Sequence, residues 1–147
     1  MSNTLGIIIC FAYIFLIVGA AEGLRRWRGY SSSFTRKVIH IGVGMLSWAL
    51  PFLFNSPWPF VLACAVFMIV NLIDWRYGLI GAMQSKHRSN LGTVYFPLAA
   101  AVVALVFWDR LPLMVAALAA VTWGDGLAPV IGAAYGRRFY RIHTSTR

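Results

Sequence analysis

Five apolar runs divide this sequence, and almost all of its positive charge lies in the gaps between them. The runs cover residues 5–24, 38–54, 58–73, 91–108 and 111 to about 123; apolar character resumes from 127 to 135. A helix needs roughly 20 residues to cross a bilayer, with a range of about 17–25. Each run approaches or meets that length, and none shows the alternation of a half-buried strand. Only 12% of residues are charged and 60% are hydrophobic, against about 25% charged in soluble domains. Mean hydropathy is +0.72. The pattern predicts an all-α, polytopic transmembrane helix bundle of about five spans, forming a single domain over residues 1–147.

The charges give that bundle a direction. Arg25, Arg26, Arg28, Arg36 and Lys37 fill one gap; Arg76, Lys86 and Arg88 fill another; Arg137, Arg138, Arg141 and Arg147 lie in the tail. All three places fall on one side, and only Arg110 falls on the other. The positive-inside rule then predicts cytoplasmic charged loops and an N-terminus outside. Trp27, Trp58, Trp75, Trp108 and Trp123 sit near the expected interfaces. The net charge of +9 does not argue for nucleic acid, because such proteins carry their cations on solvated faces or arms. The N-terminus lacks the cationic start and cleavage site of a signal peptide, so the first run is expected to remain as a helix. Cys10 and Cys64 lie inside apolar runs, have no metal-ligand spacing, and read as small buried hydrophobes.

Three polar clusters fall on the cation-rich side. In "FTRKVIHIGVG" (34–44), Arg36, Lys37 and His40 share one helical face by their three- and four-residue spacings. Two permanent cations beside a histidine suit a phosphate; the bland alternative is a pair of interfacial anchors. His40 lies about one turn inside the apolar run. In "KHRSNLGTVYFPLAA" (86–100), Ser89 or Asn90 can cap a helix whose N-terminal amides would meet an anion, with Gly92 and Thr93 close by. A plain cap is the alternative, and Pro97 is expected to kink that helix. In "TWGDGLAPVIGAAYGRR" (122–138), Asp125 stands between Gly124 and Gly126 with no cation beside it. An ionisable residue at membrane depth is a functional candidate. Gly124, Ala128, Gly132 and Gly136 recur every fourth residue and would form a smooth stripe, for helix packing or for a phosphate chain. The other acids read more plainly. Asp74 and Asp109 read as loop charges beside Arg76 and Arg110, and Glu22 as a local pair with Arg25 and Arg26.

A carboxylate, a histidine, cations and glycine-lined backbone are the inventory of phosphoryl transfer, where the protein supplies positioning and charge neutralisation. Mg²⁺ commonly binds through one or two carboxylates plus substrate phosphates. The sequence contains no P-loop, no GxGxxG, no GxSxG and no HExxH. A transporter with a broken helix and a buried acid is a competing reading, although Asp125 is expected near one face rather than mid-membrane.

"RKVIHIGVG", "SNLGTVYFPLAA" and "GDGLAPVIGAAYGRR", in this order from about residue 34 to the end, resemble the polyprenol kinase family. Dolichol, phytol and farnesol kinases and the yeast-type diacylglycerol kinase belong to it. The resemblance implies a multi-pass enzyme that phosphorylates a lipid alcohol with CTP. It marks Arg36, Lys37 and His40 in the first element, and Gly92 and Thr93 more loosely in the second. In the third it marks Gly124, Asp125, Gly126, Gly132, Gly136 and Arg137. The family pattern continues with a "KSxEGS"-type stretch and more apolar helix; "HTSTR" starts it without the serine, glutamate and glycine. A chain incomplete at its C-terminus is therefore expected.

The resulting expectation is a CTP-dependent lipid-alcohol kinase. Asp125 holds Mg²⁺, Arg36, Lys37 and Arg137 neutralise phosphate, and His40 serves as phosphate donor or as base. The lipid bilayer, CTP and a lipid alcohol are its partners; nucleic acid is not, and a homo-oligomer is compatible. A phosphatidate cytidylyltransferase-like enzyme and a non-enzymatic membrane protein are the alternatives.

Overall fold

The computed structural model describes residues 2–83 and 91–136. Among these the chain is all-helical, with no strand. Helix α1, Asn3–Arg28, begins on Ser2, whose Oγ accepts the Leu5 N–H at 3.3 Å. It ends on Gly29 at φ 68°, a left-handed cap that glycine adopts without a Cβ penalty. Arg25, Arg26 and Arg28 in its last turn face the negative end of the helix dipole.

Helix α2, Ser32–Gly44, is capped by Ser31 in the same way. The run 38–54, expected as one span, is not one continuous α-helix. After Gly44 the chain tightens into a 3₁₀ turn, Met45–Trp48, and then a four-residue helix, α3, Leu50–Leu53. Pro51 has no N–H for the Ser47 carbonyl four residues earlier. The Gly44 site is also where the Thr122 side chain lies, occupying the place a Cβ would take.

Helix α4, Pro57–Tyr77, runs a turn past the apolar run 58–73 and ends on Gly78 at φ 69°. Helix α5, Gly92–Phe107, follows the run 91–108 closely. The Gly-Asp-Gly interruption is not a break. Helix α6, Leu111–Ala119, passes into a π-helical turn, Ala120–Asp125, and on into α7, Gly126–Tyr135. A π turn absorbs an extra residue while the helix continues. Among the described residues three segments are long and apolar enough to cross a membrane: Asn3–Arg28, Pro57–Tyr77 and Leu111–Gly132. Leu16, Leu62 and Val106 are among many large apolar side chains on the outside, as a lipid-facing surface requires. The core is small: Cys10, Leu46, Leu50, Phe54, Phe60, Cys64 and Met114 lie buried in one cluster. The most extensive helix contact is between α4 and α5.

The segment after α4 is held by side chains from three helices. Asp74 is buried, and its Oδ1 accepts the Ile80 N–H at 2.6 Å. It is therefore an internal cap, not the loop charge its neighbour Arg76 suggests. Glu22 pairs with Arg25 at 2.9 Å and Arg26 at 2.8 Å, and also accepts the Ala82 N–H at 2.8 Å. The Thr35 hydroxyl donates to the Ala82 carbonyl at 3.1 Å. Both backbone groups of the fully buried Ala82 are thus satisfied by side chains, as buried backbone demands. Arg25 lies over Gly81, in space that a Cβ would fill.

Candidate functional site

At the end of the fold where α2 begins, α2 and the π turn meet. Lys37 Nζ donates to the Asp125 backbone carbonyl at 2.8 Å and lies 3.3 Å from its Oδ2. His40 Nε2 lies 3.2 Å from the Val121 carbonyl and 3.6 Å from Asp125 Oδ2. The acid that has no cation beside it in sequence therefore has two basic partners in space, from a helix made much earlier in the chain. Lys37 and His40 are largely buried at their side chains, 17% and 14% exposed, whereas Asp125 is 65% exposed. The basic groups are held and the carboxylate is presented. A ring nitrogen facing a carbonyl oxygen must carry hydrogen to bond it, so Nε2 is a donor in this arrangement. The His40 ring also packs on Phe96, centroids 4.7 Å apart.

Two interior prolines explain how polar contacts arise in so apolar a bundle. Pro129 has no N–H to offer the Asp125 carbonyl four residues earlier, and Lys37 supplies a donor. Pro97 has none for the Thr93 carbonyl, and Asn71 Nδ2 supplies one at 2.7 Å. The remaining prolines, Pro51, Pro57, Pro59 and Pro112, stand in first turns, where an N–H has no helical partner anyway.

These polar groups line one end of a cavity of about 500 Å³. Arg36, Lys37, His40, Asn71, Thr93 and Asp125 are on its wall; so are Cys10, Ile14, Phe60, Cys64, Phe67 and Leu118. Gly92 lines it too. The glycines of the third element separate. Gly126 packs so closely on α2 that a Cβ would lie 2.6 Å from Ile41 Cγ1. Gly124 and Gly132 have no atom within 4 Å of the place of a Cβ, so the four-residue stripe is not a helix-packing face here. Gly136 is the extended cap of α7, its N–H bonded to the Gly132 carbonyl. Arg137 and Asn90 lie outside the described residues. Sequence reasoning missed Asn71 and Thr122. A lone amide inside an apolar run, with an interior proline in a nearby helix, was the available signal for Asn71. Thr122 is buried with its hydroxyl unpartnered beside Gly44, and no local pattern announces it.

The geometry defines a class first: an all-helical protein with membrane-spanning candidates and a cavity that is charged at one end and apolar along its length. Comparison with known proteins narrows this. The chain is 27% identical over 132 residues to the phytol kinase of Synechocystis sp., covering 88% of this chain and 57% of the relative. It is 32% identical over 136 residues to a probable chloroplastic phytol kinase 1 of Glycine max, covering 83% and 44%. A probable chloroplastic phytol kinase of Triticum aestivum is 28% identical over 133 residues, covering 82% and 44%. The chain belongs to the polyprenol and phytol kinase family. It spans about half the length of the curated relatives it matches. No family model and no solved structure matches it.

Proposed function

We propose that this chain carries the phosphoryl-transfer face of a CTP-dependent kinase acting on a membrane lipid alcohol. One observation carries the reading: Lys37, His40 and Asp125 converge on a cavity whose remaining walls are mostly apolar. A lipid alcohol has the same polarity, one hydroxyl on a hydrocarbon chain. Its hydroxyl would lie beside the charged cluster with its tail along α1, α4 and α5. The likeness to phytol kinases supports the same chemistry.

In this reading Lys37 and Arg36, with Arg137, neutralise the phosphates of CTP. His40 donates from Nε2, a role its contact with the Val121 carbonyl favours over that of a base. Gly92, Thr93, Gly124 and Gly132 offer backbone that a phosphate chain can approach. Asp125 suits Mg²⁺ as the one protein carboxylate on a metal held mainly by nucleotide phosphates. Among the described residues no three His, Cys, Asp or Glu side chains form a ready-made cage. When bound, the metal would neutralise charge on the transferring phosphoryl group. The face carrying this cluster is cytoplasmic and the N-terminus outside, in a bundle of five spans; the one-sided placement of the cations supports this.

The test is transfer of label from γ-labelled CTP to phytol, farnesol or a polyprenol in vesicles, by this chain and by a C-terminally extended one. Asp125→Asn is expected to abolish labelling while membrane insertion is unchanged. Wild-type labelling in that variant removes Asp125 from the site. Release of pyrophosphate in place of CDP overturns the kinase reading in favour of a cytidylyltransferase.

A further inference from the structure

We infer that Lys37 is a built-in substitute for a metal cation: its ammonium holds two oxygens of Asp125 until nucleotide phosphate draws it off, so a divalent cation enters with the nucleotide and not before it. The inference rests on the proposed nucleotide chemistry for the phosphate and on the contacts of Lys37 for the rest. Asp125 presents two oxygens to one donor. Lys37 Nζ lies 2.8 Å from its backbone carbonyl oxygen and 3.3 Å from its Oδ2. Carboxylate and carbonyl oxygens are also what a hard divalent cation takes, so ammonium and metal compete for the same pair. The carbonyl is on offer because Pro129, four residues on, has no N–H to bond it. Pro129 is in this sense a positioning residue: it leaves Asp125 with two oxygens to present in place of one carboxylate alone.

The competition is unequal until phosphate arrives. Mg²⁺ gives up its water reluctantly and is bound through one or two carboxylates together with substrate phosphates, so two protein oxygens by themselves hold it weakly. Lys37 is tethered, and its approach to Asp125 is an intramolecular event at high effective concentration. The helix that carries it is fixed in place. His40, one turn on, lies 3.2 Å from the Val121 carbonyl and packs on Phe96. Gly126 is so close to Ile41 that a Cβ would lie 2.6 Å from its Cγ1. α2 and the π turn therefore stay together, and the exchange needs the rotation of one side chain. Arg36 and Lys37 both line the cavity, so a phosphate entering it meets Arg36 and gains a charge-assisted bond by recruiting Lys37. The oxygens of Asp125 are released in the same event. By linkage, the factor by which phosphate raises metal affinity is the factor by which metal raises phosphate affinity.

The test reads the position of a cation and needs no turnover. The full chain in nanodiscs of zwitterionic lipid, without a lipid alcohol, is given Fe²⁺ in place of Mg²⁺, with ascorbate and peroxide. Backbone cleavage is mapped by mass spectrometry, and Mn²⁺ binding is measured in parallel by loss of the free-ion EPR signal. The wild-type chain is expected to be cut at residues 124–126 only when CTP is present. Lys37→Met is expected to be cut there without CTP, and to bind Mn²⁺ about tenfold more tightly than wild type, inside the ~5–150-fold usual for coupled sites. Adding Asp125→Asn to Lys37→Met should abolish both effects. Adding Pro129→Ala gives the Asp125 carbonyl a helical N–H and should return about threefold of the gain, the worth of one hydrogen bond. Wild-type cutting at these residues without CTP, Mn²⁺ affinity unchanged by Lys37→Met, or a gain that survives Asp125→Asn each overturn the exchange. A gain untouched by Pro129→Ala overturns the part given to the carbonyl. If Lys37→Met does not insert, the wild-type arm decides alone. CTP-dependent cutting without label transfer to any alcohol sinks the kinase reading and leaves the exchange standing. Transfer with cutting that is independent of CTP does the reverse.

Discussion

Replacing Asn71 tests whether the interior prolines and the polar side chains opposite them work as matched pairs. Asn71→Leu keeps a side chain of similar size but removes the donor to the Thr93 carbonyl, now held at 2.7 Å. Pro97 cannot supply an N–H in its place. A buried acceptor left without a partner costs about 1–3 kcal/mol. Thr93 is half-buried, so the lower part of that range, about 1–2 kcal/mol, applies. For a chain of this size that lowers Tm by roughly 3–6 °C. Pro97→Ala restores the missing N–H four residues along, and the helix can then bond its own carbonyl. In that background Asn71→Leu should cost less than about 0.5 kcal/mol, a coupling of about 1 kcal/mol between two residues on different helices. The assay is thermal unfolding of the four proteins in nanodiscs, followed by the intrinsic fluorescence of the six tryptophans. Equal losses from Asn71→Leu with and without the Pro97→Ala change would refute the pairing and leave Asn71 as an ordinary packing contact.

Other perturbations separate close approach from open backbone. Gly44→Ala would drive a methyl into the Thr122 side chain and is expected to destabilise by about 1–3 kcal/mol; Thr122→Ala in the same chain should recover part of the loss in the same unfolding assay. Gly132→Ala meets no neighbour, so it should stabilise α7 by about 0.5–1 kcal/mol. Loss of CTP-dependent labelling in that more stable variant would show that the bare backbone meets the nucleotide. Thr35→Val keeps shape but leaves the Ala82 carbonyl without its hydroxyl donor; a loss of about 1–3 kcal/mol is expected, with faster amide exchange at residues 80–83. Exchange unchanged there would remove Thr35 from the anchoring of that segment.

Local features are readable where one short stretch decides them. Ser2 and Ser31 cap helices, Gly29 and Gly78 end them, and the runs 5–24 and 91–108 become α1 and α5 within a few residues. The shared face of Lys37 and His40 is also a local property, fixed by helical spacing. What those two side chains meet is not local. Asp125 reaches them only through the packing of the π turn on α2, and no spacing rule connects residues so distant. The small-residue stripe misleads for a related reason. Periodic glycines state what could approach a helix, not what does; Gly126, off the stripe, is the one pressed on α2, while Gly124 and Gly132 are open. Asp74 misleads because an arginine two residues away in sequence looks like a sufficient partner. Its carboxylate instead accepts the Ile80 N–H. The change of helix type in run 38–54 begins at Gly44, against the Thr122 side chain of a helix made much later in the chain.

The anchoring of Ala82 bears on the order in which this protein is made. Glu22, Thr35, Asp74, Ile80 and Ala82 all precede residue 84, so a nascent chain extended only that far already contains every donor and acceptor of that arrangement. Its first half can lock the ends of α1, α2 and α4 together while the ribosome is still supplying the rest. The charged cluster cannot form at that stage, because the partner of Lys37 has not been synthesised. The order of synthesis thus allows the frame to close before the charged corner, which is complete only when the last described helices join it.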